Sequence, residues 1–295
     1  MAAIHKSRSP GEMEPYVDDF DAVCTACHAA RCYTDFHGLL EALGLAATPE
    51  KDIPPDIIAI FLGLEYDLVN YTLSLPQEKT LRAIAMFESW LVKDHCTKQQ
   101  LQALLGFIYH ISTIIHAGRP FCASLVDLLR KDQFPQPVTM EMKEDLKVWL
   151  GFLNTQFSVK SIMKSQNLVC PDETVAVAVR GNKAIFCVNG HYEGLIIVSE
   201  QKLSLASLYI VALAHVCDVF MFHLQGQLVL ITVPTKGVLA AVNRAKVEDV
   251  AIRSILRHMW MEQARHDAVV RAVYIKGENN SHFFKEFVSF KVINV

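Results

Sequence analysis

TVAVAVRGNKAIFCVNGHYEGLIIV, residues 174–198, decides how the chain is read. Its short apolar runs are divided by polar punctuation, and Asn189-Gly190 is a strong hairpin-turn signal. The stretch therefore reads as a series of strands. Toward the C-terminus, residues 203–218 suit a helix, Gln227–Val233 a strand, Val247–His266 a helix and Val269–Ile275 a short strand. Strands alternating with helices imply a mixed α/β sheet. A domain over residues 174–295 is expected, and residues 170–295 should close their own core and fold alone. Residues 157–173 before it are polar and irregular, as a linker would be.

Upstream of the linker the pattern is helical. EKTLRAIAMFESWLVKD places Leu81, Ile84, Phe87, Leu91 and Val92 on one face. The next helix follows Thr97, a good N-cap, and Thr139 serves the same role for the last helix of the group. Between them Pro120 suits a first helical turn. Residues 16–75 read as strands and one helix. The helix carries Leu39, Leu40, Leu43 and Leu45 and stops at Gly44, and IIAIFLGLEYDLVNYTLSL alternates like a hairpin.

With 295 residues and 52% hydrophobic content the chain can build two domains and a real core. A net charge of −3 gives no global basic field, although a local groove could still be basic. MAAIHKSRSPGEMEP has no apolar core segment, so no signal peptide is expected. The eight cysteines read as reduced thiols of an intracellular protein, cytoplasmic or nuclear. Leu203–Phe222 is apolar, but His215 and Asp218 interrupt it and no basic anchors flank it. A buried helix running into a buried strand is expected there, not a membrane span.

EPYVDDFDAVCTACH, residues 14–28, reads as strand, turn, strand and holds Glu14, Asp18, Asp19 and Asp21. Adjacent aspartates repel each other. A solvated turn accommodates them, because Asp favours turns for local hydrogen-bonding reasons. The other use of such a pair is to hold divalent cations for phosphoryl transfer.

Tyr16-Val17-Asp18-Asp19 resembles the Tyr-x-Asp-Asp box of reverse transcriptases. LGLAATPEK, ending at Lys51, and FLGLEYDL, Phe61–Leu68, resemble the lysine-bearing loop and primer-grip hairpin that follow the box, in the right order. The next segment resembles the thumb and connection of DIRS-like, tyrosine-recombinase retrotransposons, most clearly in CTKQQLQALLGFIYH and GRPF. The resemblance covers residues 16–150. It implies that Asp18 and Asp19 are Mg²⁺ ligands, that Tyr16 packs near the primer end, and that Lys51 and Gly63 lie at the substrate. It further implies a ribonuclease H domain after the polymerase.

Two departures qualify the resemblance. The family's first metal-binding aspartate lies on a strand upstream of the box. Here the residues before Tyr16 include Glu12 and Glu14 but no apolar strand ending in an aspartate. Half the ligands of a two-metal site are thus missing, and the chain alone is not expected to polymerise DNA. The resemblance also implies that the ribonuclease H acids are replaced, with Ala178, Ser207, Pro234 and Phe284 in their places. No acid lies within two positions of Ala178, Ser207 or Pro234, and only Glu286 is that close to Phe284. Around them AAVN (Ala240–Asn243), LRHMWMEQARH (Leu256–His266) and IKGENN keep the family's frame.

Other constellations carry less. CTACH, Cys24–His28, has the form of a c-type haem attachment, but that use needs export and a haem pocket, and no haem is expected. Cys24, Cys27, His28 and Cys32 could gather around zinc, or simply be small core residues. His110 and His116 on an apolar helix, and Trp90, Trp149 and Trp260 among leucines, read as core. RGNK and NRAK could touch phosphates or simply be solvated. Ser204 and Ser207 have no His/Asp pattern beside them.

The sequence therefore implies an α+β protein. A partial polymerase palm (1–75), a helical thumb and connection (76–156) and a linker (157–173) precede a ribonuclease H-like domain (174–295). The implied ancestral function is RNA-directed DNA synthesis with Mg²⁺. The implied partners are an RNA–DNA hybrid or, in a non-catalytic module, nucleic acid or another protein, with no membrane.

Overall fold

The computed structural model describes residues 11–16, 19–45, 47–154, 159–161, 173–188, 190–200, 202–244, 250–266, 268–274 and 289–294. Helices and strands mix in an α+β architecture. The chain divides into two compact units, one ending at Pro76 and the other beginning at Gln77.

The first unit starts with the hairpin β1 (Glu12–Tyr16) and β2 (Asp19–Val23). Helix α1 (Ala29–Ala42) buries Cys32, Leu39 and Leu40 along one stripe. It ends where Gly44, at φ 70°, turns the chain. Leu45 N–H donates to the Leu40 carbonyl and Gly44 N–H to that of Glu41, a Schellman closure that satisfies the last carbonyls. This closure carries the chain away from the helix face, so Leu43 and Leu45 are exposed rather than continuing the apolar stripe. A 3₁₀ turn (Pro49–Lys51) leads to the antiparallel strands β3 (Ile58–Phe61), β4 (Leu64–Asp67) and β5 (Thr72–Ser74).

The second unit opens with α2 (Gln77–Leu91), the short strand β6 (His95–Cys96) and α3 (Lys98–Ile111). A 3₁₀ turn (His116–Cys122), α4 (Ala123–Leu129), β7 (Gln136–Pro137), α5 (Met140–Leu153) and the short strand β8 (Val159–Ser161) follow. Thr97 and Thr139 cap α3 and α5, each accepting from the backbone N–H three residues on. Pro120 sits in the 3₁₀ turn ahead of α4 rather than in its first turn. Trp149 is fully buried and donates its Nε1–H to the Phe121 carbonyl at 3.2 Å. Its ring lies so close to Gly118 that a Cβ there would come within 2.2 Å of it. Only glycine fits that approach.

The sheet of this unit has the order β13-β12-β9-β10-β11-β14. Its strands are β9 (Glu173–Arg180), β10 (Lys183–Val188), β11 (His191–Val198), β12 (Leu228–Val233), β13 (Val269–Tyr274) and β14 (Lys291–Asn294). β9, β10 and β11 are antiparallel neighbours, whereas β12 runs parallel to β9, β13 to β12 and β14 to β11. The stretch 174–198 thus forms the antiparallel half, with Gly181 at φ 61° and Gly190 at φ 79° in its turns. Asn189 lies outside the described residues.

Helices α6 (Leu205–Phe220), α7 (Lys236–Arg244) and α8 (Val250–Arg265) pack with Val175, Val177, Phe186, Leu195 and Ile231 into one core. The apolar run at 203–222 becomes α6 and then turns through Gly226 before β12, instead of running straight into a strand. Among the described residues no helix is long and apolar enough to cross a membrane. Neither α7 nor β14 is apparent from periodicity. Pro234 and Gly237 disguise the start of α7, which Thr235 caps by accepting from Val238 N–H at 3.2 Å. β14 is four residues long, and its pairing partner β11 is remote in sequence.

Candidate functional site

The acidic hairpin pairs Glu12 with Val23 at its open end and Tyr16 with Asp19 at its closed end. Asp18 falls between the last paired positions and lies outside the described residues. Directly opposed residues of an antiparallel pair share a face, and so do residues two apart on one strand. Tyr16, Asp19 and Asp21 therefore line one face of the hairpin. Tyr16 and Asp19 are exposed there. Asp21 is half-buried, and burial pushes its carboxyl up, opposed by a bond from the Ala22 backbone. Its charge also raises the Tyr66 hydroxyl on β4, second to burial, so Asp21 faces that strand. Phe20, on the other face, meets the Phe36 ring of α1 at 5.4 Å. The hairpin thus anchors by Phe20 and presents Tyr16 and Asp19 to solvent, with Asp21 turned toward β4.

Lys51 closes the 3₁₀ turn, and the residue after it is fixed from α1. Tyr33 donates its hydroxyl to Asp52 at 2.9 Å, and His37 Nε2 lies 3.2 Å from the other carboxylate oxygen. Gly63 makes the β3–β4 turn with Leu62. Their φ values of 72° and 48° belong to the two-residue turn that matches strand twist. Gly63 thereby has a backbone duty of its own. Among the described residues no group of three or more His, Cys, Asp or Glu is arranged to hold a metal ion. Cys24 and Cys32 do meet. Burial and the Cys32 thiol raise the Cys24 thiol, and Thr25 Oγ1 lies 2.9 Å from His28 Nδ1.

Of the four positions that the resemblance sets against ribonuclease H acids, Phe284 lies outside the described residues. Ser207 is buried in the first turn of α6, its hydroxyl 2.8 Å from that of the N-cap Ser204. Pro234 directly follows β12. Ala178 is buried on β9 with Ile185, beside Ala176 and Cys187. Val175 and Val177 instead join the core that contains α6, and Val179 packs against it. Strand alternation thus turns Ala178 to the sheet face opposite α6. The structure does not bring Ala178 and Ser207 together. The β9 positions on the α6 side are Val177 and Val179, and the Val179 backbone hydrogen-bonds Tyr209 of that helix.

A charged cluster that motif reading passes over joins the helices to the sheet half. Arg257 of α8 reaches Asp145 of α5 at 2.7 Å and Glu141 at 3.3 Å. Arg253, one turn earlier, reaches Asp127 at 2.8 Å. Ser124 donates to Asp145 at 2.7 Å, and the Arg257 guanidinium lies over the Phe121 ring at 5.6 Å. Burial pushes Asp145 up to about 6, against the downward pull of Ser124 and Arg257. The signal was present in sequence as two arginines four apart on a helix whose Ile252, Leu256, Met259 and Trp260 are core.

No family profile matches this chain, and no curated protein matches it. Solved structures of a foamy viral protease-reverse transcriptase are similar. One, in complex with double-stranded DNA, is 14% identical with a TM-score of 0.44 and is matched over 94% of this chain and 57% of its own. Another, in complex with an RNA/DNA hybrid, is 15% identical with a TM-score of 0.46, over 95% of this chain and 37% of its own. This chain therefore spans about half the length of the structures it matches or less.

Proposed function

We propose that this chain is a piece of a retroelement RNA-directed DNA polymerase of DIRS-like type, inactive on its own, that retains contact with an RNA–DNA hybrid. The observation that supports this reading is the order of parts in the first unit. Tyr16 and Asp19, the first and last residues of the Tyr-x-Asp-Asp box, are paired across a hairpin. A helix follows, then the turn ending at Lys51, then a hairpin turning at Gly63. In this reading Asp18 and Asp19 are the surviving half of a Mg²⁺ site, and Ser207, Pro234 and Phe284 mark a nuclease site that has lost its acids. A two-metal site clamps both the attacking and the leaving oxygen, and Asp18 and Asp19 by themselves do not supply carboxylates enough for that.

The purified chain is expected to bind a labelled RNA–DNA hybrid in a salt-dependent way, as phosphate contacts require. It is expected neither to extend a primer with Mg²⁺ or Mn²⁺ nor to cut the hybrid. Extension that disappears in Asp18→Asn would overturn the inactive part of the reading, and absence of hybrid binding at low salt would overturn the rest.

One observation favours a second reading, a module that holds another protein. Ile57, Ile58, Ile60, Val69 and Tyr71 are all about half exposed in and around the β3–β5 strands. Contiguous exposed apolar surface of this kind marks interaction sites. Loss of self-association or of partner capture in Ile58→Lys/Ile60→Lys, with hybrid binding unchanged, is the outcome that separates the two.

A further inference from the structure

Cys24 directly follows β2, at the open end of the acidic hairpin, and Cys32 stands in the first turn of α1. Both belong to the first unit, and both are free thiols. Two observations bring them together. The Cys24 and Cys32 side chains are hydrogen-bonded to each other. A Cβ built on Gly11 would lie 3.2 Å from Cys32 Sγ and 3.3 Å from Cys24 Cβ, and one point is that near to both only where the two side chains adjoin. The third thiol of the CTACH string turns elsewhere. Cys27 is exposed, and its Sγ lies 3.4 Å from Thr25 Oγ1 and 3.7 Å from His28 Nδ1.

Among the described residues no three such groups are arranged to hold a metal ion, so the chemistry open to this pair is that of two thiols. A disulfide requires sulfurs that meet, with a bond of about 2.05 Å. Cys24 and Cys32 satisfy that requirement while still reduced. Their exposure divides the roles. Cys32 is buried, whereas Cys24 is partly open to solvent and is the one a dissolved reagent meets first. The thiolate is the attacking species. Burial raises the Cys24 thiol, and the Cys32 contact raises it further, so the reaction is slow near neutral pH and quickens as pH rises.

We propose that Cys24 and Cys32 form a reversible dithiol–disulfide site, oxidised by small-molecule disulfides of the glutathione class, and that the bond fastens the open end of the acidic hairpin to α1. Cys24 thiolate attacks the small disulfide, forms a mixed disulfide and releases one small thiolate. Cys32 thiolate then attacks Cys24 Sγ and releases the second. One sulfur–sulfur bond forms in the protein and one breaks in the reagent. Two electrons pass to the reagent, and the two protons from the protein thiols end on the two small thiols. Reduced glutathione in excess runs the same steps backward. The site rests on no part of the polymerase reading.

The test uses the whole chain, reduced and then equilibrated under native conditions with mixtures of reduced and oxidised glutathione, quenched with N-ethylmaleimide and digested with trypsin. Cleavage after Arg31 separates the two cysteines, leaving Cys24 and Cys27 in peptide 9–31 and Cys32 in peptide 32–51. The expected product is one cross-link between these peptides, with the maleimide on Cys27, formed faster at pH 8 than at pH 7 and lost in excess reduced glutathione. Cys32→Ser should instead keep glutathione on Cys24. A bond inside peptide 9–31, which is Cys24–Cys27, or no bond in oxidised glutathione alone, would overturn the proposal. The native peptide map decides this even if the variant does not fold. Amide hydrogen exchange over Asp19–Val23 reads the fastening, and should slow by about tenfold or more in the oxidised chain. Unchanged exchange with the cross-link in place would overturn the fastening of the hairpin.

Discussion

Asp19 and Asp145 each have a second acid nearby in sequence, and they live in opposite worlds. Asp19 stands exposed on a hairpin, where water carries the cost of its charge. Asp145 is 2% exposed, and its charge is met by Arg257 and Ser124. The hairpin acids are conspicuous in sequence because Asp18 and Asp19 are consecutive, and the exposure of Asp19 makes it dispensable for stability. The α5 acids are inconspicuous, because their partners come from a helix more than a hundred residues later. Burial makes Asp145 costly to disturb. A motif advertises local chemistry, whereas the energetics belong to pairs that the fold assembles.

The sharpest way to break this contrast is Arg257→Ala. Removing one member of a buried ion cluster strands the other charge, and about 3–5 kcal/mol of stability should be lost. Urea unfolding followed by tryptophan emission is the measurement. Trp90, Trp149 and Trp260 all lie beyond Pro76 and are buried, so the signal reports the second unit alone. Arg257→Met combined with Asp145→Leu should recover most of the loss, because an apolar pair leaves no buried charge. If the single variant unfolds at the native urea midpoint, the cluster is not the joint described here.

A second effect is in pH. Burial holds Asp145 near 6, above its ordinary 3.8, so the folded protein keeps a proton that the unfolded chain has released. Its contribution is full below about pH 4 and is lost as pH rises through about 6. Asp145→Asn cannot titrate. The stability of the native protein relative to this variant should therefore fall by on the order of 2–3 kcal/mol between pH 4 and pH 7. A difference that is flat with pH, or that rises, would reverse the assignment.

Smaller effects follow. Thr97→Ala removes the acceptor for Gln100 N–H and should cost about 1 kcal/mol, read from the same urea curves. Asp19→Asn should change stability by no more than about 0.5 kcal/mol, as exposed substitutions do. Thermal melts of the whole chain check it, and a large loss would show that the hairpin acid has a structural partner.

Much of the secondary structure was legible because its signals are local. Thr97 and Thr139 mark helix starts by their own side chains, Gly44 marks a stop by its backbone freedom, and the antiparallel half of the sheet announces itself through apolar runs and turn residues. What was illegible depends on remote partners. β14 is a strand only because β11 offers it an edge. The facing of Ala178 depends on strand alternation around a register that spacing alone does not set, which is why aligning segments placed it one residue from the side where α6 packs. The arginine cluster was half legible, since two cations on a core helix require anions, but nothing local names them.

The parallel pairing of β11 with β14 has a consequence for how the protein is made. Leu195 is joined to Lys291 and Val198 to Asn294, so one border of the sheet stays unsealed until the last of these emerges. A ribosome adding about 5–20 residues per second leaves β11 waiting on the order of 5–20 s. For that time its backbone groups are a template for any other extended chain. Glu193 stands on that border and later pairs with Lys291. During synthesis it is a lone negative charge of the kind that discourages strangers from adding a strand. The same side chain thus guards the nascent sheet and then fastens the finished one.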